Sequence, residues 1–160
     1  MASSPRDELS RASVVLCSAC LLGFDCRYDA QEKRKPHVLD ALGGKSVVPI
    51  CPEVAGELSV PRPPADLFGG AGGAVLDGQA KVLTCEGRDV TAAFLTGAAL
   101  ALEAARRYGA SVAVLKEGSP SCGTRRLMVD GASVAGLGVA AAALQRAGVA
   151  LLSDEDLEQP

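Results

Sequence analysis

The chemistry open to this chain is set by six cysteines and a single histidine. Three of the cysteines fall within ten residues, in Cys17-Ser-Ala-Cys20-Leu-Leu-Gly23-Phe-Asp-Cys26-Arg-Tyr-Asp29. Two more sit in tight contexts rich in proline or glycine. Cys51 lies in Pro49-Ile-Cys-Pro-Glu53, and Cys122 in Gly118-Ser-Pro-Ser-Cys-Gly123. Thiolates ligate metals or attack substrates, so these residues make a metal centre, a thiol enzyme or no site at all. Cys17 and Cys20 are spaced as in a redox or metal pair. However, the separations of 31 residues from Cys20 to Cys51 and 71 from Cys51 to Cys122 are not those of a zinc ribbon.

The cysteine loops carry partners for proton transfer. Glu53 follows Cys51 closely, Ser119 and Ser121 precede Cys122, and Lys116-Glu117 come just before them. A carboxylate beside a metal is what activation of water requires. Arg62, set in Pro61-Arg-Pro-Pro64, is a candidate substrate clamp on a rigid loop, with an ordinary ion pair as the other reading. Asp29 is a further candidate for a substrate contact, or else a paired surface charge. His37, near a helix start, reads as a surface residue. Cys17 follows Leu16 at strand pitch and reads as a core thiol, Cys85 as structural, and Cys26 stays open between site and packing.

The elements that must position these residues follow from pattern. Ser13 to Leu16 and Ser46 to Ile50 read as strands, each delivering a cysteine loop. Ser111 to Leu115 is an apolar run of the buried parallel type, and it leads into the Cys122 loop. Pro36 opens a short helix through about Leu42. Asp89 caps a long helix from Val90 to Tyr108, whose apolar stripe is Phe94, Leu95, Ala98, Leu102 and Ala105. A helix over residues 138–147 and a strand over 149–152 end the chain. Gly69 to Gly73 reads as a link, and Ala74 to Thr84 as a hairpin turning at Asp77-Gly78. The alternation predicts an α/β fold, a single three-layer Rossmann-like domain with a mostly parallel sheet and a small hairpin. Residues 1–12 are expected to be a flexible tail and 13–160 the single domain. Parallel sheets bind ligands at the carboxyl ends of their strands, so cysteines far apart in sequence can converge there.

Composition narrows the function. The chain has 160 residues, a formal net charge of −3 and 3% aromatic residues. There is no broad basic field for extended nucleic acid, although Lys33, Arg34 or Lys35 could steer an anionic ligand. No apolar run approaches the roughly 20 residues of a membrane span, and the N-terminal stretch lacks a secretory h-region. A cytoplasmic location is expected, where clustered cysteines mean metal or catalysis more often than disulfides.

Taken together and in order, Ser18-Ala-Cys-Leu-Leu-Gly23, Cys26-Arg-Tyr-Asp29, Val48-Pro-Ile-Cys-Pro-Glu53, Pro61-Arg-Pro-Pro64, Asp89-Val-Thr91 and Lys116-Glu-Gly-Ser-Pro-Ser-Cys-Gly123 make a resemblance plain. The chain resembles a bacterial family, long catalogued as a domain of unknown function, whose characterised members are thiouracil desulfidases. The likeness runs from residue 13 to about 152. It implies a [4Fe-4S] cluster held by Cys20, Cys51 and Cys122, with one iron left open to capture the sulfur of a thiolated nucleobase or nucleoside such as 2-thiouracil. Water would then replace sulfur hydrolytically. The resemblance also implies Glu53 as the proton-transferring carboxylate and Ser119 as the relay or substrate hydroxyl, with Ser121 its competitor. Two positions depart from the family pattern: Ala30 stands where glycine is usual, and Gly118 where asparagine is usual. A different class, a zinc-holding or redox-sensing module that binds a metabolite without catalysis, is the alternative. A thiol enzyme built on Cys122 would need a base, and His37 is in none of the cysteine loops.

Overall fold

The structure, a computed structural model, describes residues 4–30 and 34–158. Its helices are α1 (Pro5–Arg11), α2 (Pro36–Ala41), α3 (Pro52–Ala55), α4 (Gly72–Leu76), α5 (Thr91–Tyr108) and α6 (Val139–Arg146). Its strands are β1 (Val14–Ser18), β2 (Ser46–Ile50), β3 (Ala65–Phe68), β4 (Lys81–Thr84), β5 (Val112–Leu115), β6 (Arg126–Val129), β7 (Ala132–Ala135) and β8 (Ala150–Ser153).

One sheet has the order β2-β1-β5-β8, and all three of its pairings are parallel. The apolar runs explain it. Val112 to Leu115 are buried throughout, as both faces of a parallel sheet must be covered. On one face Val15, Cys17, Val112 and Val114 pack with Leu9 of α1 and Val38 of α2. On the other, Leu16, Ala113 and Leu115 pack against Ala105 of α5 and Ala141 and Leu144 of α6. These are the three layers that the alternating pattern predicts. The chain runs from β1 to β2 on one side and later to β5 on the other, so β1 marks a topological switch point.

A second sheet, β4-β3-β6-β7, packs on α4, α5 and α6 through Leu67, Val82, Leu127, Phe94 and Val139. Here the expectation over residues 74–84 needs correction. Gly72–Leu76, which includes the end of the expected glycine link, is helix, and Asp77-Gly78 ends that helix with Gly78 at φ +77°. Only β4 of the expected hairpin is a strand, and it pairs antiparallel with β3. The other hairpin is β6–β7, turning at Asp130-Gly131 with φ +51° and +80°. Two positive φ values suit the right-handed twist of the strands.

The N-terminal segment also differs from the expected tail. Residues 1–3 lie outside the described residues, as does Lys33 of the basic stretch. Ser4 and Asp7 form a capping box at the start of α1, and Leu9 is buried in the core. On α5, Thr91 N donates to Asp89 Oδ1 at 2.9 Å, and the buried stripe is Phe94, Gly97, Ala98, Ala101 and Ala105. Leu95 is exposed instead, because Gly97 faces α3: a Cβ there would collide with the Pro52 carbonyl. No described helix is long and apolar enough to cross a membrane.

Candidate active site

The carboxyl ends of β1, β2 and β5 open onto one cavity of about 260 Å³. Cys20 enters from the 3₁₀ turn Ala19–Leu22 directly after β1, Cys51 from the residue after β2, and Cys122 from the loop after β5. Glu53, Arg62, Ser119 and Ser121 line the same space. Asp29 is not among the lining residues. Its carboxylate lies 3.5 Å from Arg27 Nη1.

Two close backbone contacts fix the cysteine loops. Gly97 of α5 lets Pro52 approach, which seats Cys51 and Glu53 on the long helix. Gly138 lies against the backbone of Pro120 and Ser121, where a Cβ would sit 2.5 Å from the Ser121 carbonyl carbon. The Cys122 loop is also tied internally by Glu117, which is buried. Its Oε1 accepts from the N–H groups of Gly118, Thr124, Arg125 and Arg126 at 3.0–3.2 Å, and Oε2 accepts from the Thr124 hydroxyl at 2.8 Å. Burial alone would raise the Glu117 pKa. The donors from Arg125, Arg126, Thr124 and Gly118 outweigh it and hold the carboxyl below its ordinary range. The loop's base is pinned by Ser18 Oγ, which accepts from Lys116 N at 2.9 Å, and by buried Asp154, which accepts from Glu117 N at 2.8 Å.

Polar groups inside the cavity form one chain. Ser119 Oγ accepts from the N–H groups of Ser121 and Cys122 at 3.2 and 3.1 Å, so its proton is left for Ser121 Oγ, 3.1 Å away. Ser121 in turn donates to Glu53 Oε2 at 3.2 Å. Arg62 lies 3.4 Å from Glu53 Oε1 and donates to the carbonyls of Cys26 at 3.0 Å and Ser59 at 2.9 Å. Its side chain is only 5% exposed. The guanidinium thus holds Glu53 and the Cys26 loop while its residue lines the cavity.

The surroundings of four of the thiols disfavour the thiolate. Burial pushes Cys122 up to about 12 and Cys17 up to about 12. Cys26 rises to about 11, first through its hydrogen bond with the Cys20 thiol. Cys51 also moves up, through its bond with Cys26 and then burial. A cation is therefore what would convert this set to thiolates. Among the described residues no three His, Cys, Asp or Glu side chains converge tightly enough to hold a single ion. The three thiols surround a space and do not meet at a point. Cys17 points into the core and is wholly buried, whereas Cys85 is exposed and off the cavity. Cys26 lines the cavity between Cys20 and Cys51. His37 bonds the Asp154 carbonyl at 2.9 Å, away from the thiols.

Sequence reasoning passed over Ser18, Asp154 and Asp66. Ser18 and Asp154 end β1 and follow β8, so strand-end position was the available signal. Asp66 follows the proline loop within β3, and only the strand's alternation assigns its face.

A parallel α/β domain with a thiol-lined cavity at its switch point belongs to the class of α/β proteins that bind a ligand or metal at the carboxyl ends of their strands. The sequence profile of a family described as 2-thiouracil desulfurase matches residues 15–156, and the chain belongs to that family. A solved structure described as the [4Fe-4S]-dependent thiouracil desulfidase TudS is 42% identical, with a TM-score of 0.78 over 92% of this chain and 94% of that one. The uncharacterized protein YbbK of Bacillus subtilis (strain 168) is 40% identical over 147 residues, covering 90% of this chain and 97% of that protein.

Proposed function

We propose that this chain is a [4Fe-4S]-dependent enzyme that replaces the sulfur of a thiolated pyrimidine, of the 2-thiouracil kind, with oxygen from water. One observation carries the reading: Cys20, Cys51 and Cys122 line a single cavity together with a Ser119–Ser121–Glu53 hydrogen-bond chain. Family membership and the 42% identity to TudS support it.

The donor set fits the cluster. Thiolates are the ordinary ligands of iron–sulfur clusters, and of the four thiols that line the cavity a set of Cys20, Cys51 and Cys122 would leave one iron without a protein ligand. Cys20, Cys51 and Cys122 would hold the cluster, which supplies, when bound, a sulfur-seeking Lewis acid. The remaining chemistry belongs to the chain. Desulfuration by water converts C=S and H₂O into C=O and H₂S, with no change in electron count. Both protons of the water must reach the departing sulfur. Glu53 Oε2 takes a proton from the water, and Ser121 and Ser119 carry it across the cavity. Arg62 fixes the other carboxylate oxygen, so Oε2 keeps one orientation.

Anaerobic reconstitution with iron and sulfide tests the reading. It should give brown protein with about four irons per chain that releases sulfide and uracil from 2-thiouracil. Protein that binds no iron and leaves 2-thiouracil intact would refute it.

A further inference from the structure

We infer that Asp66 recognises a ring N–H of the thiolated pyrimidine and sets which N-substituted substrates the cavity accepts; the inference rests on the functional reading above. Asp66 lies in β3, next to the proline loop that carries Arg62. Ala65 and Leu67 turn to the core of the second sheet, so strand alternation puts Asp66 on the opposite face, and it lines the cavity of the thiols.

Charge accounting singles this residue out. Glu53 is engaged by Arg62 and Ser121, and Glu117 by four backbone N–H groups and a hydroxyl. Lys116 donates to the Glu117 carbonyl at 3.0 Å and lies 3.8 Å from Asp154 Oδ2. Arg27 is paired with Asp29. Among the described residues, only the Asp66 carboxylate among the cavity's charged side chains has neither a hydrogen bond nor an ion pair. Partial burial of a charge without a partner costs stability, and a ligand donor would offset it.

An ionised carboxylate only accepts hydrogen bonds, so the ligand must present a donor. In 2-thiouracil both ring nitrogens flanking the thiocarbonyl carry N–H groups, and no other part of the ring donates. The carboxylate therefore distinguishes a free ring N–H from an N-alkylated one. Losing the N–H leaves the carboxylate unpaired, which makes this contact selective and not merely attractive.

The experiment compares cluster-loaded wild type, Asp66→Ala and Asp66→Asn on 2-thiouracil and on its 1-methyl and 3-methyl derivatives. Calorimetry of uracil binding supplies a second readout. Asp66→Ala should keep its iron content and visible absorbance, raise KM for 2-thiouracil by roughly 10- to 100-fold, and weaken uracil binding to a similar degree. Wild type should discriminate against at least one methyl isomer by about 10-fold or more, and Asp66→Ala should close that gap. Asp66→Asn, which keeps an acceptor oxygen, should fall between the two. Turnover by wild type with KM, uracil affinity and methyl discrimination all unchanged in Asp66→Ala overturns the assignment alone. Iron-loaded wild type that leaves 2-thiouracil unreacted overturns the functional reading and this assignment together.

Discussion

Ser121 and Glu53, 68 residues apart in the chain, are joined by a 3.2 Å hydrogen bond from the serine hydroxyl to Oε2. The bond couples the loop after β5 to the helix that follows β2. In the proposed reaction the two residues act as one unit in proton transfer. Glu53→Gln should lower kcat by about 10²- to 10⁴-fold with iron content unchanged, and Ser121→Ala should follow in the same direction. The double variant should be little worse than Glu53→Gln alone, because coupled groups are not additive. Steady-state kinetics with iron quantification checks this; additive losses would separate the two residues.

Five of the six cysteines should divide by place. Cys20→Ala, Cys51→Ala and Cys122→Ala are each expected to lose cluster absorbance and activity. Cys85→Ser should lose neither, since that thiol is exposed and off the cavity. Cys17→Ala should load iron normally while losing on the order of 1 kcal/mol of stability from the core. Iron and acid-labile sulfide content, with urea unfolding, reads both effects.

Glu117 gives the fold a pH dependence whose sign follows from its hydrogen bonds. Its carboxyl lies below the ordinary glutamate value of about 4.5 in the folded protein. It therefore stabilises the fold fully above that value, and the contribution is lost as pH falls through the lower folded value. Glu117→Gln should cost about 2 kcal/mol at neutral pH, through loss of charge-assisted bonds to the loop. Wild type and variant should converge below pH 4.5, as urea midpoints of the metal-free proteins would reveal. A constant gap across that range would contradict the assignment.

Gly97→Ala should lower stability by about 1–3 kcal/mol, because its Cβ would overlap the Pro52 carbonyl and push α3 away. Since α3 begins beside Cys51 and carries Glu53, activity should fall further than the unfolded fraction explains. Thermal melts paired with specific activity measure the difference.

Ala30 stands at φ +59°, a conformation that costs an alanine roughly 1–2 kcal/mol. Ala30→Gly should relieve most of that, less the backbone entropy glycine loses on folding. A net rise of about 0.5–1 kcal/mol in urea unfolding is expected, with cluster loading unaffected.

The parallel sheet was legible because β1 and β5 are nearly or wholly buried apolar runs, and that burial shows in composition alone. The second sheet was not. The edge strands Lys81–Thr84 and Ala132–Ala135 are short and partly exposed, with little periodic signal. The sequence pattern places a hairpin turn at Asp77-Gly78 and no element at Asp130-Gly131, where the structure turns β6 into β7. The choice turns on what precedes each pair: Gly72–Leu76 buries Val75 as a helix, whereas Arg126–Val129 finds β3 as a parallel neighbour. Cys20, Cys51, Cys122, Glu53, Ser119, Ser121 and Arg62, each in a distinctive loop of the sequence, line one cavity, whereas Asp29 does not. What Arg62 and Glu117 hold was not legible in the sequence, since their partners are backbone groups that no residue type announces.

The switch point at β1 sets an order of events for the cell. Cys20, Cys51 and Cys122 come from three loops, and the last follows a strand that must first dock beside β1. A nascent chain cannot gather all three thiols until β5 has been made and inserted. On the proposed ligand assignment, the complete three-thiol set exists only once β5 has docked beside β1.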